Sequence, residues 1–125
     1  MNILLDTHIL LWHLADNPKL KPEHSELIED TANSIFFSVV SLWEIAIKLS
    51  IGKLAISQTI DKIVPNEVNI LGLKVPHILK VTDLDFHHRD PFDRMIIAQS
   101  MAEGIRVMSY DGYFKLYDVD LISSG

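Results

Sequence analysis

Short apolar runs alternate with segments of helical spacing from the first residues onward. Asn2 to Leu5 predicts a strand that ends at Asp6, and Thr7 to Ala15 reads as a helix until Asn17 and Pro18 stop it. Pro22 opens a second helix. Ser34 to Val39 is β-branched and aromatic enough for a buried strand, and Ser41 to Leu49 returns to helical spacing and ends near Gly52. A helix around Gln58 to Ile63, a strand over Val68 to Leu73 and a short helix over Pro76 to Lys80 follow. Pro91 to Glu103 predicts a helix closed by Gly104, with strands at Arg106 to Ser109 and Val119 to Ile122. This alternation predicts an α/β fold of three layers, a mostly parallel sheet of four to five strands with helices on both faces.

Composition narrows the picture. A chain of 125 residues without repeats or a linker-like run is expected to form a single domain over 1–125. Its apolar fraction of 48% and mean hydropathy of +0.20 are high for a small soluble protein, so an oligomer or a covered apolar surface is expected. The opening MNILLDTHILLWHLAD has no basic start and is interrupted by Asp6, so it reads as fold rather than as a leader. The uncharged stretch Thr31 to Trp43 is shorter than the roughly 20 residues of a spanning helix, and a soluble, cytoplasmic protein is expected. The absence of cysteine excludes disulfides, thiolate zinc sites and cysteine nucleophiles, so any metal would bind oxygen or imidazole. A net charge of −6 argues against a broad basic surface for nucleic acid. It does not argue against an acidic pocket that presents a divalent cation to a phosphodiester.

In parallel sheets the working crevice lies beyond the carboxyl ends of the strands, and Asp6 and Asp111 fall there. Taken singly, each has an ordinary explanation as a cap or turn residue. Glu44 shares a helix face with Val40, Ile47 and Ile51, beside Trp43. A carboxylate so placed needs a cation, a metal or a proton, and Lys48 four residues on offers the plain i,i+4 pair. In DPFDRMIIAQS, Asp90 is a natural N-cap and Pro91 sits at the first helical position. Asp93 is drawn inward with Ile96, Ile97 and Ser100, so Asp93 is the expected ligand and Asp90 its cap or support. His87 and His88 lie near Asp85, Asp90 and Asp93 and raise a competing transition-metal site, but their spacing fits no zinc signature and a polar or phosphate-contacting loop is expected. His8, His13, His24 and His77 show no pattern. Arg89, Arg94, Lys48 and Lys53 are candidate phosphate contacts, with solvated charge as the default for each.

Together LLDTHILLW, SVVSLWEIAIK, DPFDRMIIAQSMAEG and VMSYDGYF form an ordered pattern over nearly the whole chain. It resembles the PIN-domain nucleases, in particular the VapC-like toxins of type II toxin-antitoxin pairs. The resemblance implies an acidic catalytic and metal site at Asp6, Glu44, Asp93 and Asp111, with Thr7, Asp90 and Ser109 as auxiliaries. Ser109 stands where a threonine is frequent, and Ser100 where an alanine is. Oxygen ligands without thiolates select a hard cation, Mg²⁺ with Mn²⁺ as a possible substitute. The expected activity is a Mg²⁺-dependent endoribonuclease leaving 5′-phosphate and 3′-hydroxyl ends. The expected partners are an RNA substrate, a cognate antitoxin and a second copy in a homodimer, with Leu11, Trp12, Leu14, Trp43 and Ile47 as candidate contact residues. Two other readings are a non-catalytic PIN-like interaction module and a phosphoacceptor receiver-type domain. The receiver lacks support in the sequence, because Leu5 precedes Asp6 and Phe37 to Val40 offers no acceptor.

Overall fold

The computed structural model describes residues 1–125. Its elements run β1 (Asn2–Leu5), α1 (Thr7–Leu14), α2 (Pro22–Glu29), β2 (Ser34–Ser38), α3 (Val39–Ser50), β3 (Asn69–Leu71), α4 (Val75–Asp83), α5 (Pro91–Glu103), β4 (Arg106–Met108) and β5 (Leu121–Ile122). Two 3₁₀ turns, Ile60–Lys62 and Gly112–Leu116, complete the chain. The sheet has five strands in the order β3-β2-β1-β4-β5, and every pairing is parallel. The expected α/β architecture is therefore found, with the sheet wholly rather than mostly parallel.

Strand β1 lies at the centre because it can be buried on both faces. Ile3 pairs with Ile35 on one side, and Leu4 with Val107 on the other. Successive side chains point to opposite faces, so Ile3 and Leu5 join Ile9, Leu10, Ile28, Phe37 and Ile45 in one core, while Leu4 joins Ile96, Ile97, Val107 and Phe114 in the other. Helix α4 packs on α5 outside that second core.

Several boundaries differ from the sequence expectation for local reasons. The Ser38 hydroxyl accepts from Val40 N, so β2 stops there and α3 begins at Val39 rather than Ser41. Helix α4 runs from Val75 to Asp83, longer at both ends than Pro76 to Lys80; the His77 Nδ1 accepts the Lys74 N–H at 3.1 Å and secures its first turn. Only a single 3₁₀ turn forms around Gln58 to Ile63. The strands expected at Val68 to Leu73 and Val119 to Ile122 keep only the residues that find a ladder partner, at the two edges of the sheet. Helix α1 ends at Leu14, and Asp16 takes a left-handed conformation (φ 49°) that aspartate tolerates better than most residues.

The strand order positions the site. The chain runs outward from β1 through β2 to β3, then returns to the other side of β1 for β4 and β5. The connections after β1 and β4 thus diverge to opposite directions and leave a crevice at their carboxyl ends. Asp6 and the segment Ser109 to Asp111 follow those two strands directly. No helix is long and apolar enough to cross a membrane.

Candidate metal centre

The crevice between β1 and β4 is lined with carboxylates whose oxygens are held by neighbouring donors. Asp6, 4% exposed, caps α1: its Oδ1 accepts from Thr7 N at 2.7 Å and its Oδ2 from the Ser109 hydroxyl at 2.8 Å. The Thr7 hydroxyl donates to Glu44 Oε1 at 2.7 Å, so α1 links the end of β1 to the inner face of α3. Glu44 is buried, and Lys48 Nζ stands 3.5 Å from its other oxygen. The plain helical pair expected for Lys48 is present, but it engages only one of the glutamate's two oxygens.

Helix α5 brings the other acids. Asp90 Oδ1 accepts from Phe92 N (2.8 Å) and Asp93 N (3.2 Å), the N-cap expected of it. Asp93 is 9% exposed. Burial pushes its carboxyl up to about 8, and the charges of Asp6, Asp90, Asp111 and Glu44 push in the same direction. Burial also raises Asp6, against the hydrogen bonds from Ser109 and Thr7 N that favour its charged form. Asp111 caps the 3₁₀ turn through Tyr113 N at 2.9 Å, while its own N–H donates to the Ser109 hydroxyl at 3.1 Å. Ser109 therefore ties Asp6 and Asp111 together. Asp6, Glu44, Asp90 and Asp111 are near enough for their charges to act on Asp93, and Thr7 and Ser109 hold Glu44 and Asp6, but the ligand atoms that lie within 4.8 Å of one another are those of His88, Asp90 and Asp93.

His88, expected near Asp90 and Asp93 as part of a competing metal site or a polar loop, joins them directly. Its Nε2 lies 2.8 Å from Asp93 Oδ2 and 3.9 Å from Asp111 Oδ2, and its ring stacks on Tyr113 at 4.1 Å with only 6° between planes. Its backbone N–H and that of His87 donate to the hydroxyl of Tyr117. Arg94 is also part of this clamp, donating to the Tyr117 hydroxyl and to the carbonyls of Asp85 and His88, so it holds the loop rather than standing ready for phosphate. The available sequence signal was the position of His88 five residues before Asp93. Distance along the chain cannot reveal that Tyr113 and Tyr117, from beyond β4, fix the ring there. The histidines without a sequence pattern mostly have structural partners: His13 meets Ser25, His24 meets Tyr110, and His77 bridges Lys74 N and Glu103.

A family model described as PIN domain matches residues 3–120. The chain belongs to the PIN domain family. The receiver-type reading falls with that match. Solved PIN-like relatives share the fold at low identity. A chain of VapBC2 from Rickettsia felis, bound to a DNA fragment from their promoter, superposes with a TM-score of 0.74 at 16% identity over 98% of both chains. One of VapBC-1 from nontypeable Haemophilus influenzae gives 0.71 at 17% identity over 98% of both chains. One from a toxin-antitoxin complex of Klebsiella pneumoniae gives 0.65 at 13% identity, covering 96% of this chain and 95% of that one. No curated protein matches the sequence.

The donor set of this PIN domain fits a hard divalent cation. Four carboxylates face one region, two of them held in their charged form only at a cost, and the sole nearby lysine contact is at Glu44. Such a cluster has more carboxylates than cationic neighbours and offers oxygen, the combination Mg²⁺ and Mn²⁺ take.

Proposed function

We propose that this PIN domain is a metal-dependent endoribonuclease and the toxin of a toxin-antitoxin pair. The observation that carries the reading is Asp93, a buried carboxyl pushed up to about 8 beside Asp6, Asp90, Asp111 and Glu44 at the sheet's switch point. A protein that assembles mutually repelling carboxylates accepts a stability cost, and a bound cation removes it. In this reading Asp6, Glu44, Asp93 and Asp111 hold Mg²⁺, or Mn²⁺ in its place. The ion supplies charge to the scissile phosphate and activation of water when bound.

The chain's own residues set the geometry. Thr7 N–H and the Ser109 hydroxyl fix both oxygens of Asp6, and the Thr7 hydroxyl fixes one oxygen of Glu44. Asp90 orients the first turn of α5 and so the start of Asp93's helix. The side chain of Asp111 is a third exposed, which suits it to receive a proton from water at the mouth of the crevice. No side-chain nucleophile is required: attack by water at phosphorus with cleavage of the P–O3′ bond, the 3′-oxygen leaving and taking up a proton, would give 5′-phosphate and 3′-hydroxyl ends without the ribose 2′-hydroxyl.

An antitoxin partner and a homodimer belong to the same reading. The relatives' toxin-antitoxin context supports the first. Exposed apolar side chains support both: Leu14 on α1, Trp43 and Ile47 on α3, and Val75 and Leu79 on α4. Leu11 and Trp12, also expected at such surfaces, are partly buried against the core.

The test is cleavage of single-stranded RNA by the purified protein with Mg²⁺, Mn²⁺ or EDTA, alongside Glu44→Gln. Cleavage is expected with either metal, none in EDTA, and a loss on the order of 100-fold or more in the variant. Full activity in EDTA would remove the reading. Thr7→Val probes the support of Glu44: the fold should persist while metal affinity, measured by calorimetry, falls about 10- to 100-fold, as for other residues that orient a ligand.

A further inference from the structure

The feature the carboxylate reading leaves over is His88. It is the imidazole in hydrogen-bond contact with these acids, and three contacts hold it in that pose. The Tyr117 hydroxyl accepts its backbone N–H at 3.0 Å, Arg94 donates to its carbonyl at 3.4 Å, and Tyr113 stacks on its ring. The side chain is 13% exposed. His87 faces the exposed Asp85 at 3.8 Å, and His8, which stacks on Trp12 and lines a cavity with Asp6 and Asp111, makes no hydrogen bond to either acid.

We infer that His88 supplies a nitrogen ligand to the divalent cation of this centre, making it a mixed oxygen and nitrogen site that favours transition-metal ions over Mg²⁺. The inference rests on the metal-centre reading above. Spacing supports it. Two ligands bonded to one ion at about 2.1 Å stand about 3.0 Å apart at a right angle and at most about 4.2 Å apart in line. The 3.9 Å from His88 Nε2 to Asp111 Oδ2 falls between these values, and the 2.8 Å hydrogen bond to Asp93 Oδ2 lies just inside the right-angle spacing, so a small separation of that pair admits an ion. Single ligand atoms of His88, Asp90 and Asp93 also lie within 4.8 Å of one another, and Asp90 uses Oδ1 for capping, which leaves Oδ2 for an ion. Imidazole binds Mn²⁺ and later divalent ions in preference to the strongly hydrated Mg²⁺. A salt bridge to Asp93 alone would not call for a second carboxylate on the same nitrogen or for a ring fixed from three sides.

Mn²⁺ provides the probe. Pulsed electron paramagnetic resonance of the Mn²⁺-loaded protein should show the ¹⁴N modulation of a coordinated imidazole. In His88→Gln the modulation should vanish, Mn²⁺ affinity should fall at least about tenfold and Mg²⁺ affinity should change less. Mn²⁺ bound without ¹⁴N modulation in the wild type overturns the inference and leaves an all-oxygen metal centre standing. Modulation that survives in His88→Gln also overturns it, since another histidine is then the ligand. Failure of the wild type to bind Mn²⁺ or Mg²⁺ at all overturns both this inference and the metal-centre reading.

Discussion

Asp6→Asn is expected to abolish RNA cleavage while leaving the protein folded. The substitution keeps the shape of the side chain and most of its hydrogen bonds: an amide oxygen can still accept Thr7 N–H, and the amide nitrogen can donate to a rotated Ser109 hydroxyl. It removes the charge at the point where α1, β1 and β4 meet. Burial already disfavours that charge, so the folded state loses little and gains some relief. In the proposed mechanism, catalysis would lose an anionic ligand at the centre of the cluster. A drop of at least about 10³-fold in rate, equivalent to about 4 kcal/mol of transition-state stabilisation, is expected from RNA cleavage assays with Mg²⁺. Circular dichroism and thermal unfolding should show an intact fold. A folded variant that retains more than a tenth of the wild-type rate would contradict the role given to Asp6.

The second large effect is on stability. In the folded, metal-free protein the Asp93 carboxyl is pushed up to about 8, whereas a carboxyl in the unfolded chain titrates at about 4. Between those values the folded state holds a proton that the unfolded chain has released. Stability must therefore fall as pH rises across that window. The contribution is fully present below about pH 4 and lost by about pH 8, on the order of 2–4 kcal/mol once the contact with His88 and partial hydration are allowed for. Asp93→Asn carries no such titration. Denaturant unfolding in EDTA at pH 5 and pH 8 should show the variant more stable than wild type at the higher pH, with a smaller gap at the lower. Addition of Mg²⁺ should stabilise only the wild type, because binding to the folded state alone raises its stability. Parallel pH profiles for the two proteins would refute the account. The same substitution should eliminate cleavage, so a gain in stability and a loss of function arise from one side chain.

The stability cost and the catalytic proposal share a physical origin. Carboxylates converge where β1 and β4 end because that crevice is the one place the sheet leaves open between diverging connections. Their repulsion is tolerable in a domain with two buried cores, and in the proposed reading a bound cation would relieve it.

Much of this was legible along the chain. The strand-forming run before Asp6, the Asp90-Pro91 start of α5 and its Gly104 stop are local signals, set by backbone conformation and by hydrogen bonds a few residues apart. The continuous apolar character of β1 and β2 marked a sheet covered on both faces. The segments holding Asp6, Glu44, Asp93 and Asp111 were also visible, because each breaks an apolar pattern or ends a strand. Boundaries failed even where the contact is local, because the residue type alone does not announce the cap: the Ser38 hydroxyl ends β2 and starts α3, and the His77 ring closes the first turn of α4.

Tertiary structure alone decided how the acids are related. Thr7 and Glu44 are 37 residues apart, and Asp6 and Ser109 are 103 apart; they meet only because β4 returns to pair with β1 on the side opposite β2. Strand order is a non-local property of packing, and no periodicity encodes it. His88 is the sharpest case, since its sequence neighbourhood reads as a polar loop and only Tyr113, Tyr117 and Arg94 turn its ring toward Asp93 and Asp111.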